Sequence, residues 1–67
     1  MNNFGQRLKF LRVSRNLTQV QLAEMTGLHV ASIVKIERRG TRPSLSTVRK
    51  IADKLNVDIA LLLGAEQ

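Results

Sequence analysis

Between residues 17 and 37 the chain reads LTQVQLAEMTGLHVASIVKIE, and its apolar residues recur at three- and four-residue steps on both sides of one glycine, Gly27. That spacing lines one face of a helix, whereas a strand would alternate every second residue. The phase changes once, at Gly27, so the stretch predicts two short helices joined by a tight turn. Thr18, followed three residues later by Gln21, is a capping box that opens the first of them. Gly27 supplies the positive φ that stops it without a Cβ clash. Leu22 and Ala23 turn inward, and the small alanine lets a neighbouring helix approach closely.

The same signals divide the rest of the chain. A first helix spans residues 4–14, capped by Asn3, with Phe4, Leu8 and Leu11 inward and Asn16 as the left-handed stop. Leu28 packs at the central turn, and the second helix of the pair runs over residues 30–38. In RRGTRPS, Gly40 breaks that helix, Pro43 bars a return to it, and Ser44 caps the next. A fourth helix, residues 45–55, carries Leu45, Val48, Ile51, Ala52 and Leu55 on one face. Asn56 ends it, and Asp58 caps a last short turn through IALLL. The fold class is all-α: five helices, no strand, one domain over residues 1–67.

Composition limits what such a domain does. At 67 residues it lies near the lower size for unaided folding, and a 43% hydrophobic content suffices for one small core. There is no cysteine and one histidine, His29, so neither a disulfide nor a metal site is expected. No serine has a histidine placed to activate it and no glycine-rich phosphate loop exists, which argues against an enzyme and against a cofactor. No apolar run approaches the roughly 18 residues of a membrane span, and MNNFGQRLKF lacks a signal peptide's apolar core, so a cytoplasmic location is expected.

The net charge of +6 is unevenly spread. Up to Pro43 the chain holds Arg7, Lys9, Arg12, Arg15, Lys35, Arg38, Arg39 and Arg42 against Glu24 and Glu37; beyond it, Arg49, Lys50 and Lys54 balance Asp53, Asp58 and Glu66. The whole surplus therefore flanks the helix pair, as a polyanionic partner requires. On a wheel of about 100° per residue, Ile33 and Ile36 face the core, leaving Ala31, Val34 and Lys35 outward with Val30 at the edge. A short-chained, partly β-branched face with one cation suits the major groove of double-stranded DNA. There small apolar groups meet thymine methyls and lysine reaches guanine O6 or N7.

The Thr-Gln opening, Leu-Ala within the helix, glycine turn, SIVKIE and RPSLSTVRKIADKLNVDIALLL together resemble the helix-turn-helix domain of the Cro and phage-repressor family, over residues 5–63. The resemblance implies a lambda-repressor-like five-helix bundle with its helix-turn-helix at about residues 18–38. It also implies a transcription regulator at the nucleoid that binds a palindromic operator as a homodimer, like a phage repressor or a restriction–modification controller. Thr18 and Gln19 then meet a DNA phosphate, Gln19 through its side chain and backbone amide. Val30, Ala31, Val34 and Lys35 match the base-reading positions, with Ser32 among them, and Arg39, Thr41 and Arg42 fall in the loop that tracks the second strand. Arg12 and Glu37 match a partly buried pair tying helix one to the end of helix three.

Three departures from the family pattern matter. His29 stands where a serine or threonine cap is common, so either helix three starts loosely or His29 touches a phosphate. Val30, Ala31 and Val34 replace polar readers, leaving methyl contacts and Lys35 alone. ERRGTRP is longer between glutamate and glycine, which leaves the placement of Arg38 and Arg39 open. Pairing of two copies is expected at residues 55–63, through Ile59, Leu61 and Leu62, although Leu62 is also needed to close the core. No effector domain is visible, so no small-molecule ligand is expected. The competing reading is an antitoxin or a protein-interaction module that uses helices four and five of the same scaffold.

Overall fold

The caps written into the sequence start the helices they precede. The computed structural model describes residues 3–64; the outermost positions of the expected domain lie outside the described residues. Among those described, α1 (Phe4–Ser14), α2 (Gln19–Thr26), α3 (Val30–Arg39), α4 (Leu45–Leu55) and α5 (Ile59–Leu63) follow in order, with no strand. Asn3 with Gln6, and Thr18 with Gln21, close complete capping boxes. Ser44 and Asp58 accept from the amides of Thr47 and Ala60. Asn16 and Asn56 take left-handed φ angles of 58° and 57° after α1 and α4. Gly27, at φ 73°, ends α2 by donating its amide to the Ala23 carbonyl. α3 runs one residue further than the spacing predicts, through Arg39, before Gly40 stops it. Arginine propagates a helix well, and its charge is favourable beside the last carbonyls.

Helix α3 packs on both α1 and α2, α4 packs on α2 and α5, and α5 closes back on α1. The core they share is Phe4, Leu8 and Leu11, Leu22 and Ala23, Ile33, the inner face of α4, and Leu62. Burying each large side chain contributes about 1.5–3 kcal/mol. Two expectations are corrected here. Leu45 remains 47% exposed; it belongs to the first turn of α4, about 70° round the helix from the centre of the arc formed by Val48, Ile51, Ala52 and Leu55. Leu62 is fully buried, so its side chain is core and has nothing to offer a second copy. Ile59 packs half-buried at the edge of that core, and Leu61 is 41% exposed.

One close approach sets α3 against α1. A Cβ on Gly5 would overlap the Ile36 carbonyl and stand 2.8 Å from the Gly40 Cα, so α1 and α3 meet backbone to backbone at this residue. In the same first turn of α1, Arg7 Nε donates to the Leu62 carbonyl at 2.7 Å and ties α1 to α5. That satisfies one of the carbonyls that the last turn of a helix leaves without an intrahelical partner.

Candidate nucleic-acid interface

With Ile33 buried and Ile36 half-buried against the core, the opposite side of α3 is committed outward. Val30, Ala31, Lys35, Arg38 and Arg39 are exposed there and Val34 is half-buried. These six residues line one shallow concavity along the helix. A second groove, of about 380 Å³, lies between α3 and the segment that follows it. Its walls include Leu28, Ser32 and Ile36 on one side and Thr41, Arg42 and Thr47 on the other. Lys35 and Arg39 line both concavities and so form the ridge between them. Arg42 and Thr41 are exposed beyond it.

The electrostatics are one-sided. Lys35, Arg38, Arg39 and Arg42 are all exposed here, and no carboxylate lines either concavity. The one acid on α3, Glu37, is turned away and paired. Its carboxylate takes Arg12 Nε at 2.7 Å and Arg12 Nη2 at 3.0 Å, with the two side chains 10% and 4% exposed. The expected Arg12–Glu37 pair is therefore present, with little of either side chain exposed.

The remaining expected residues divide. Thr18 is spent on structure: its hydroxyl accepts the Gln21 amide at 3.0 Å and its own amide donates to Gln21 Oε1 at 2.8 Å. Gln19 opens α2 half-buried, and its Nε2 donates to Glu37 Oε1 at 3.1 Å. His29 makes no side-chain cap, yet α3 does start at Val30. The His29 carbonyl accepts the amides of Ser32 at 2.9 Å and Ile33 at 3.3 Å, and the imidazole stays exposed. Ser32 faces the second groove rather than the outer helix face. The lengthened ERRGTRP stretch puts Arg38 and Arg39 in the last turn of α3, ahead of the loop.

Sequence reasoning missed the Gln19–Glu37 bond and the contribution of Leu28, Pro43 and Thr47 to the second groove. The first joins residues 18 apart in the chain, with no local pattern to betray it. Pro43 and Thr47 flank Ser44, and the capping signal there read only as the start of α4. Among the described residues no group of three or more His, Cys, Asp or Glu could hold a metal ion, and no helix is long and apolar enough to cross a membrane.

Comparison with known proteins bears on this face. A family model described as helix-turn-helix matches residues 8–62. An immunity repressor protein of Bacillus phage phi105 is 44% identical over 62 residues, covering 92% of this chain and 43% of that protein. Control protein C.SmaI of Serratia marcescens is 38% identical over 59 residues, covering 88% of this chain and 70% of its own length. Among solved structures, the restriction-modification controller protein C.AhdI from Aeromonas hydrophila superposes with a TM-score of 0.83 at 35% identity, covering 90% of this chain and 91% of that one. The chain spans less than half the length of several of the curated relatives it matches.

Proposed function

We infer the function from one premise: the chain belongs to the helix-turn-helix family, and it acts as a sequence-specific DNA-binding regulator of transcription. Helix α3 enters the major groove of double-stranded DNA. The observation that carries this reading is the outward face of α3, where Val30, Ala31 and Val34 sit beside three exposed cations, Lys35, Arg38 and Arg39, with no carboxylate among them. Methyl groups contact thymine, Lys35 bonds guanine, and Arg39, Thr41 and Arg42 hold the phosphates on the loop side. Similarity to a phage repressor and to restriction–modification controllers supports a regulator of that kind, working at the nucleoid without enzymatic chemistry.

Two copies act together. The longest dimension of the molecule is 30 Å, and it carries one recognition helix, whereas successive major-groove faces lie about 34 Å apart. A homodimer on a palindrome supplies the second helix. The pairing surface is centred on exposed Leu61, with half-buried Ile59 beside it and Leu62 excluded by its burial. Residues 44–67, which carry that surface, are charge-balanced, so two copies meet there without repulsion. Fluorescence anisotropy with a labelled duplex tests the DNA reading. Binding should weaken steeply with salt, losing about 0.9 log units of affinity per log unit of salt for each phosphate neutralised by a lysine or arginine. Binding that does not depend on salt contradicts it.

A further inference from the structure

We propose that Glu37 is a positioning residue for DNA binding and acts through Gln19; the proposal rests on the DNA-binding reading above. Glu37 Oε1 accepts from Gln19 Nε2 at 3.1 Å and from Arg12 Nη2 at 3.0 Å, while Oε2 accepts from Arg12 Nε at 2.7 Å. Arg12 Nη1 reaches the Leu17 carbonyl at 2.7 Å. Leu17 and Gln19 flank Thr18, the N-cap of α2. The buried ion pair thus grips both sides of the cap, Arg12 by the main chain and Glu37 by a side chain.

The capping box cannot do this. Thr18 and Gln21 bond each other, which closes the first turn of α2 but does not orient it against α3. Glu37 does orient it, because it stands two residues from Lys35 on the helix that reads bases. An ionised carboxylate only accepts, so the nitrogen of Gln19 must face it. That bond is charge-assisted and fixes the side chain in one rotamer. A primary amide has two N–H groups; Glu37 takes one, and the other is held ready for a phosphate oxygen. Arg12 cancels the carboxylate's charge, so the acceptor that aims Gln19 does not repel the phosphate. The base-reading helix and a phosphate donor on the preceding helix are therefore set relative to each other by one buried carboxylate.

The test removes the acceptor without stranding a charge. Arg12→Met/Glu37→Met takes away both buried charges together, which a fold often tolerates, and leaves Gln19 unheld. On a duplex selected by the wild type, this variant should bind about tenfold more weakly, with the same salt slope, because a neutral amide displaces no counterion, and prefer the same bases. Arg12→Met/Glu37→Gln restores an acceptor and should recover most of the lost affinity, a rescue that packing alone does not predict. Gln19→Met should reproduce the loss in the wild type and add nothing to Arg12→Met/Glu37→Met. Equal losses in both backgrounds, or wild-type binding by the folded Met/Met variant, overturn the proposal. Should that variant not fold, the Gln19 side-chain amide protons of the wild type decide by NMR. One proton should be displaced by the carboxylate and the other should move on DNA addition; a pair matching free glutamine overturns it. A wild type that binds no duplex at all overturns the DNA-binding reading itself, and with it this proposal.

Discussion

Replacing Glu37 by alanine strands a guanidinium. The Arg12 side chain is 10% exposed, and after the substitution it keeps only its bond to the Leu17 carbonyl. Breaking a buried ion pair from one side costs about 3–5 kcal/mol, because the surviving charge is left desolvated. The retained carbonyl bond and residual exposure place this site at the lower end, about 3 kcal/mol. A domain of 67 residues has roughly 3–10 kcal/mol in all at typical values per residue, so the loss is a large share of its stability. At about 4–8 °C per kcal/mol for a chain this size, Tm falls by about 12–24 °C. Urea denaturation followed by far-UV circular dichroism measures the change, with Arg12→Met/Glu37→Met as the companion that removes both charges. The companion should recover most of the loss. A cost for Glu37→Ala under about 1 kcal/mol, the range of a surface pair, refutes burial as the source of the effect.

Other substitutions read other parts of the structure. Gly5→Ala forces α1 and α3 apart and should cost about 1–3 kcal/mol in the same denaturation assay; an unchanged midpoint means the helices do not meet there. Leu61→Asp should give a folded monomer with weak operator binding, and sedimentation at micromolar concentration checks it against a dimeric wild type. Lys35→Ala should relax preference at one base position per half-site, at a cost of about 1–3 kcal/mol, whereas Arg42→Ala should weaken all duplexes alike and flatten the salt slope by about one unit. Repeating the site selection with each variant separates the two.

Helix boundaries were legible because their signals are local. Asn3, Thr18, Ser44 and Asp58 each bond an amide two or three residues on, and Asn16, Gly27 and Asn56 take the left-handed angles their side chains permit. The outward set on α3 followed from periodicity once Ile33 was placed inside. Gly5 was invisible for the opposite reason: it matters because backbone more than thirty residues away comes within overlap of its missing Cβ. Leu45 was misjudged at the first turn of α4, where periodicity is weakest, and Leu62, which closes the core as expected, was given a pairing role as well from a five-residue helix. Over so short a helix, neighbouring positions compete for the core almost equally, and α1 settled the contest for Leu62. The Arg12–Glu37 pair was legible through family resemblance, whereas its third member, Gln19, joins it only once the fold brings α2 against α3.

Selection of bound sites from a pool of random duplexes tests the central claim most directly. A homodimer that sets α3 in two successive major grooves should enrich an inverted repeat. Its half-site centres should lie about 34 Å, or 10–10.5 base pairs, apart. Each half should hold thymines opposite Val30, Ala31 and Val34 and a guanine within reach of Lys35. A pool that shows no enriched sequence after repeated rounds, or one enriched in a lone half-site with no symmetric partner, would contradict the account.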